Sequence, residues 1–139
     1  MKKKIEIFLF ANEILENGMA KALILVNTEV LLLRFLREFQ SFEESYDLKF
    51  YIIVHHHYFE EIEDLIQSLD FQISLIPTSR HDFDANIIYE IIRNYCVHDG
   101  PCLFLHLTFP LLSPNYFFDM LEASSVRPTM MVAECSKIK

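Results

Sequence analysis

KIEIFLFANEILENGMAK, Lys4 to Lys21, is the stretch whose reading decides the fold. It opens with KIEIFLF, Lys4–Phe10, an apolar run of strand length interrupted only by Glu6. Apolar residues that follow one another, rather than alternating with polar ones, need cover on both faces, which is the habit of a strand inside a parallel sheet. The run ends at Ala11-Asn12 and gives way to a polar segment, Ala11 to Ala20, that leads into Lys21. In an open α/β sheet such a segment lies at the carboxyl edge, where ligands are held.

Outward from this stretch the pattern repeats. Lys49 to Val54 (KFYIIV), Gln72 to Ile76, Cys102 to Leu107 and Thr129 to Ala133 read as four further strands, rich in branched and aromatic residues. Between them apolar residues recur at helical spacing: Val30, Leu33, Leu36 and Phe39; then Phe59, Ile62, Leu65 and Leu69; then Ile87, Ile88, Ile91, Ile92 and Tyr95. A fourth helix is expected after Ser113-Pro114, where serine caps free amides and proline suits the first turn. Strand and helix in alternation predict an α/β fold: a three-layer αβα, Rossmann-like, doubly wound and mostly parallel sheet of order 3-2-1-4-5. Residues 1–139 are read as one domain, with no internal repeat or linker. The informative loops are Ala11 to Ala20, Pro77 to Asp82 and Thr108 to Ser113.

Composition narrows the functions available. The 52% hydrophobic content, with 13 Phe, is enough to offset chain entropy, so the chain is expected to fold. A net charge of -8 excludes a broad phosphate-tracking surface, and no nucleic-acid partner is expected. His106, Thr108 and Pro110 interrupt the longest apolar candidate, far short of the ~20 residues a membrane span needs, so no membrane partner is expected either. Three cysteines without CxxC spacing suggest neither a disulfide framework nor a zinc knuckle, and fit a reducing cytoplasm. His55, His56 and His57 read as a solvated turn, because consecutive side chains at a strand end diverge; no metal site is assigned to them. Cys96 beside His98 lacks a group to orient the base and reads as a small apolar residue.

Four segments carry a resemblance, the last of them weakly. Leu9 to Val30, LFANEILENGMAKALILVNTEV, aligns without a gap with LAAGxGxRMGxPKALLPVxGxP, the opening pattern of nucleotidyltransferases that attach CMP or GMP to small phosphates or sugars. Ala11, Gly18, Lys21, Ala22 and Leu23 match, whereas Asn12 and Ile14 replace glycines and Glu16 replaces the arginine. Arg80 to Ile88, RHDFDANII, is in register with RQDSVxNGL of 2-C-methyl-D-erythritol 4-phosphate cytidylyltransferases, matching at Arg80, Asp82 and Asn86. Leu105 to Ser113, LHLTFPLLS, resembles LQPTSPLRS of acylneuraminate cytidylyltransferases, with Thr108 where other relatives carry a metal-binding Asp. A weaker likeness, AECSKIK at Ala133 to Lys139 to PVxDTIK, closes the chain. The sequence thus resembles a degenerate, truncated member of the nucleotidyltransferase superfamily, spanning about the first 60% of a usual member and lacking its substrate-binding arm.

That resemblance implies a site. Lys21 is the implied catalytic residue, a point charge meeting the α- and β-phosphates of CTP or another nucleotide. Ala11, Asn12, Gly18, Arg80, Asn86 and Thr108 are the implied nucleotide-binding positions. Mg²⁺ is the implied cofactor if the protein is active, although the hydroxyl of Thr108 is a poor substitute for a carboxylate. Read from the residues alone, Lys21 is equally an ordinary solvated lysine. Arg80 and Asn86 either hold a base or ribose edge or help cap a helix beginning near Phe83, for which Asp82 is the natural N-terminal partner.

The loop itself departs from the pattern. Asn12 tolerates a left-handed backbone but Ile14 does not, so the segment is expected to take a different path. Two glycines in 139 residues, against about 10 at average usage, mean that permissive positions are scarce throughout. Glu16 in place of arginine turns attraction for phosphate into repulsion of ~1–4 kcal/mol at about 4 Å. Three functions compete: a CTP-using transferase with Lys21 as electrostatic catalyst, a noncatalytic relative serving as a protein-interaction or scaffold domain, and a flavodoxin-like or receiver-like signalling domain. Apolar surface left by the absent arm makes a homodimer an expectation.

Overall fold

The computed structural model describes residues 3–95 and 102–107. Four parallel strands form the main sheet: β1 (Lys3–Phe10), β4 (Tyr46–His55), β5 (Gln72–Thr78) and β6 (Cys102–His106), in the order β5-β4-β1-β6. These are the first four of the five strands expected from sequence, in the expected order 3-2-1-4; Thr129 to Ala133, like the helix after Ser113-Pro114, lies outside the described residues. A flavodoxin-like sheet would place its first strand between the second and third. Here β1 lies between β4 and β6, so the signalling-domain order does not apply.

Register follows from burial on both faces. Ile5, Ile7 and Leu9 enter a core shared with α1 (Leu31–Arg37) and α2 (Phe59–Ile66), whereas Phe8 and Phe10 enter a second core with Ile53, Ile76 and α3 (Ala85–Tyr95). Helices therefore cover both faces, giving the αβα layers. Leu9 sits opposite Ile52 of β4 and Leu105 of β6, and a slip by one residue would exchange the two apolar sets. Phe39, Phe50 and Phe71 meet edge to face in the first core, with centroids 5.5 and 5.2 Å apart; such pairs contribute ~0.5–1.5 kcal/mol beyond area burial.

Three expectations need correction. The buried stripe of α1 is Leu31, Leu32, Phe35 and Leu36, continued by Phe39, while Val30 and Leu33 are only half-buried. Steps of three in the sequence selected a line across the helix rather than the wider face it presents. The second correction concerns α3, which begins at Ala85 and is capped by Asp84, whose Oδ1 accepts from the amides of Asn86 and Ile87 at 3.0 and 3.1 Å. Asp82 is not the cap. The third is an unanticipated ribbon, β2 (Leu25–Val26) paired antiparallel with β3 (Glu29–Val30). Its turn places Asn27 at φ 53° and Thr28 at φ 68°, the two positive angles that a twist-matched two-residue hairpin requires.

Candidate functional site

Strand order reverses between β1 and β6, so the crevice of this sheet lies beyond the carboxyl ends of those two strands. Residues 11–21 leave β1 at this point, and residues 79–84 leave β5 two strands away. Asn12 fastens the two segments. Its side chain is 1% exposed, and its Nδ2 donates to the carbonyls of Arg80 and Asp82 at 3.1 and 2.9 Å. Ala11, also buried, continues the strand ladder by donating its amide to the Ile53 carbonyl at 2.8 Å.

Beyond Asn12 the chain forms a small hairpin. Lys21 N donates to Glu13 O at 3.0 Å, Ile14 bridges Ala20, and Leu15 N donates to Met19 O at 2.8 Å. The tip closes through Gly18 N to Leu15 O and Met19 N to Asn17 Oδ1. Gly18 is the residue that needs its missing side chain, since its φ is +84°. The Tyr58 hydroxyl donates to the Gly18 carbonyl and ties the tip to the turn after β4. The amides of Leu15, Gly18, Met19 and Lys21 are thereby committed within the segment. The sequence anticipated a changed path from Ile14; the path taken is self-closing.

Lys21 stands at the crevice, but in company. Its Nζ is 3.4 Å from Glu13 Oε1, and His106 Nε2 approaches the same oxygen at 3.4 Å. Both contacts are longer than a tight charge-assisted hydrogen bond; the one from Lys21 is a charge pair in a partly screened crevice, and the one from His106 becomes a charge pair only when the ring is protonated. The His106 ring lies flat on Phe83, with centroids 4.5 Å apart and planes 5° apart, and Phe83 in turn packs on Phe10. In the sequence His106 stands only as an interruption of an apolar run, and Glu13 carries no assigned role. The usable signal was position: one follows the end of β1, the other ends β6, and the sheet order makes those ends neighbours.

Arg80 is fully engaged by its own loop. Its guanidinium grips Asp82 through two bonds of 3.1 and 3.2 Å and reaches Asp84 at 3.0 Å, while its amide donates to Thr78 Oγ1. The hydrogen bond with Asp82 raises the Arg80 pKa above its ordinary value, and the same bond from Arg80 holds Asp82 below the ordinary carboxylate value. Asn86 is exposed in the first turn of α3, its amide bonded to Asp84. Thr108 lies outside the described residues. The structure thus gathers Asn12, Arg80 and Asp82 in one interaction and Lys21, Glu13 and His106 in another, and leaves Asn86 on the helix surface.

No protein-family model matches the chain. No curated protein matches it. Among solved structures, the 4-diphosphocytidyl-2C-methyl-D-erythritol synthase of Anaerococcus prevotii superposes with a TM-score of 0.64 at 16% identity, over 88% of this chain and 52% of that one. Rv0371c from Mycobacterium tuberculosis superposes with a TM-score of 0.62 at 12% identity, over 91% of this chain and 63% of that one. The fold is cytidylyltransferase-like. The chain spans between about half and under two thirds of the length of these two neighbours. None of the helices among the described residues is long and apolar enough to cross a membrane.

Proposed function

We propose that this chain is a degenerate cytidylyltransferase-like domain that keeps the nucleotidyltransferase sheet as a binding scaffold and has lost transfer from CTP. The observation that carries this reading is the closed 13–21 hairpin, which commits the amides of Leu15, Gly18, Met19 and Lys21 within the segment and supplies Lys21 with a carboxylate of its own. Phosphate loops bind by presenting unspent amides and uncompensated cations. Residues 11–21 and 78–84 carry two cations, Lys21 and Arg80, against four carboxylates, Glu13, Glu16, Asp82 and Asp84. The local charge of two minus four, or -2, repels a polyanionic triphosphate.

The described residues add no support for Mg²⁺. They contain no group of three His, Cys, Asp or Glu side chains able to hold a metal, and the carboxylates nearest the crevice are already bound to Lys21, His106 and Arg80. A second reading, a working CTP-dependent transferase, is favoured by one observation: Lys21 stands at the crevice of the sheet. It requires the hairpin to open and Glu13 to leave Lys21. Pyrophosphate release from CTP, assayed with magnesium and a panel of sugar and polyol phosphates, separates the two. The scaffold reading expects none, from the natural chain and also after Asn12→Gly, Ile14→Gly and Glu16→Arg are combined. Release by the natural chain overturns it.

A further inference from the structure

We propose that His55, at the end of β4, is a proton-operated latch that keeps the 13–21 hairpin fastened when neutral and frees it when protonated. His55 is the last residue of β4, and its Nδ1 accepts the amide of His57 at 3.2 Å, capping the short turn His56–Tyr58. A ring nitrogen that accepts carries no proton, whereas a protonated imidazole donates from both nitrogens. Proton uptake at His55 therefore removes the cap. The turn it caps presents Tyr58, whose hydroxyl holds the Gly18 carbonyl at the hairpin tip.

Charge acts in the same direction. The His56 ring stacks on His55 with centroids 4.7 Å apart, and His57 lies 6.4 Å away. The titratable groups acting on His55 are His56 and His57 from its own turn and His81 from the 78–84 loop, which Asn12 clamps to the hairpin; the Ser79 backbone forms a hydrogen bond that favours the proton. Burial first, and then these three imidazoles, hold His55 below its ordinary pKa of 6.5. The folded state takes up this proton less readily than the unfolded chain does. The latch is thus fully closed above pH 6.5 and loses strength as pH falls below it. This device does not depend on whether the site turns over nucleotide.

The chain has two glycines, Gly18 and Gly100, so ¹⁵N-glycine labelling gives a sparse spectrum in which the Gly18 amide reports the hairpin tip directly. Titrated from about pH 8 to about pH 5, the window in which histidine changes charge, Gly18 is expected to shift with an inflection below 6.5 that coincides with the His55 ring. His55→Asn keeps an acceptor for the His57 amide but takes up no proton, and is expected to abolish the inflection. Tyr58→Phe is expected to leave the His55 titration in place while Gly18 stops responding. A flat Gly18 titration in the natural chain overturns the latch, as does an unchanged inflection in either folded variant.

Discussion

Asn12→Ala separates a structural clamp from a phosphate ligand most cleanly. The side chain is 1% exposed and donates two hydrogen bonds, at 3.1 and 2.9 Å, to the carbonyls of Arg80 and Asp82. A net ~0.5–1.5 kcal/mol per bond, with partial rehydration of carbonyls on a loop near the surface, gives a loss of about 1–3 kcal/mol. For a chain of 139 residues, with an unfolding entropy of ~2.1 cal/mol/K per residue, this lowers Tm by about 3–10 °C. Circular-dichroism melts measure the shift, and hydrogen exchange across residues 78–84 is expected to accelerate in the same variant. Asn12→Asp is expected to be worse than alanine, since a carboxylate aimed at two carbonyls has nothing to donate. A Tm loss under about 2 °C for Asn12→Ala, with no change in exchange on the 78–84 loop, refutes the clamp.

Other outcomes follow from the same geometry. Asp84→Ala removes the cap of α3 and is expected to cost about 1 kcal/mol, or ~3 °C in a thermal melt, whereas Asp82→Ala costs less; the reverse ranking contradicts the capping assignment. Glu13→Gln leaves Lys21 without its counter-charge, so affinity for inorganic pyrophosphate, read by NMR titration, is expected to rise about two- to fivefold and to fall again when Lys21→Ala is added. An unchanged affinity means that Glu13 does not mask Lys21. Because Arg80 depresses the Asp82 pKa, the stability from that pair is present above pH 3.8 and lost as pH falls below it. Asp82→Asn is therefore expected to flatten the acid limb of an unfolding curve recorded against pH, and an identical acid limb argues against the pairing.

The sheet was legible because burial on both faces leaves its mark residue by residue. Ile5, Ile7 and Leu9 serve one core and Phe8 and Phe10 the other, so the run Lys4–Phe10 shows no alternation. The face of α1 was less so, since Leu31, Leu32 and Leu33 are equally apolar and only the packed partner decides which two turn inward. At the candidate site, the sequence puts Asn12 and Ile14 where the family pattern has glycines, and neither takes a positive φ. The sequence did not disclose the hairpin, whose pairing of Glu13 with Lys21 depends on where a flexible segment closes on itself. Asp84 was within reach of sequence reasoning: an Asp three residues before the buried Ile87 is a helix-start signal, but the family-like match at Asp82 drew attention to its neighbour. Asn12 was not, because its partners are backbone carbonyls 68 and 70 residues away, which no local pattern records.

The central claim is that the segment over Lys21 is closed to a triphosphate. Isothermal titration of CTP with magnesium into the natural chain tests it most directly. The account predicts no saturable heat at millimolar CTP. A saturable isotherm that Lys21→Ala abolishes contradicts it, because Lys21 would then be meeting phosphate rather than Glu13.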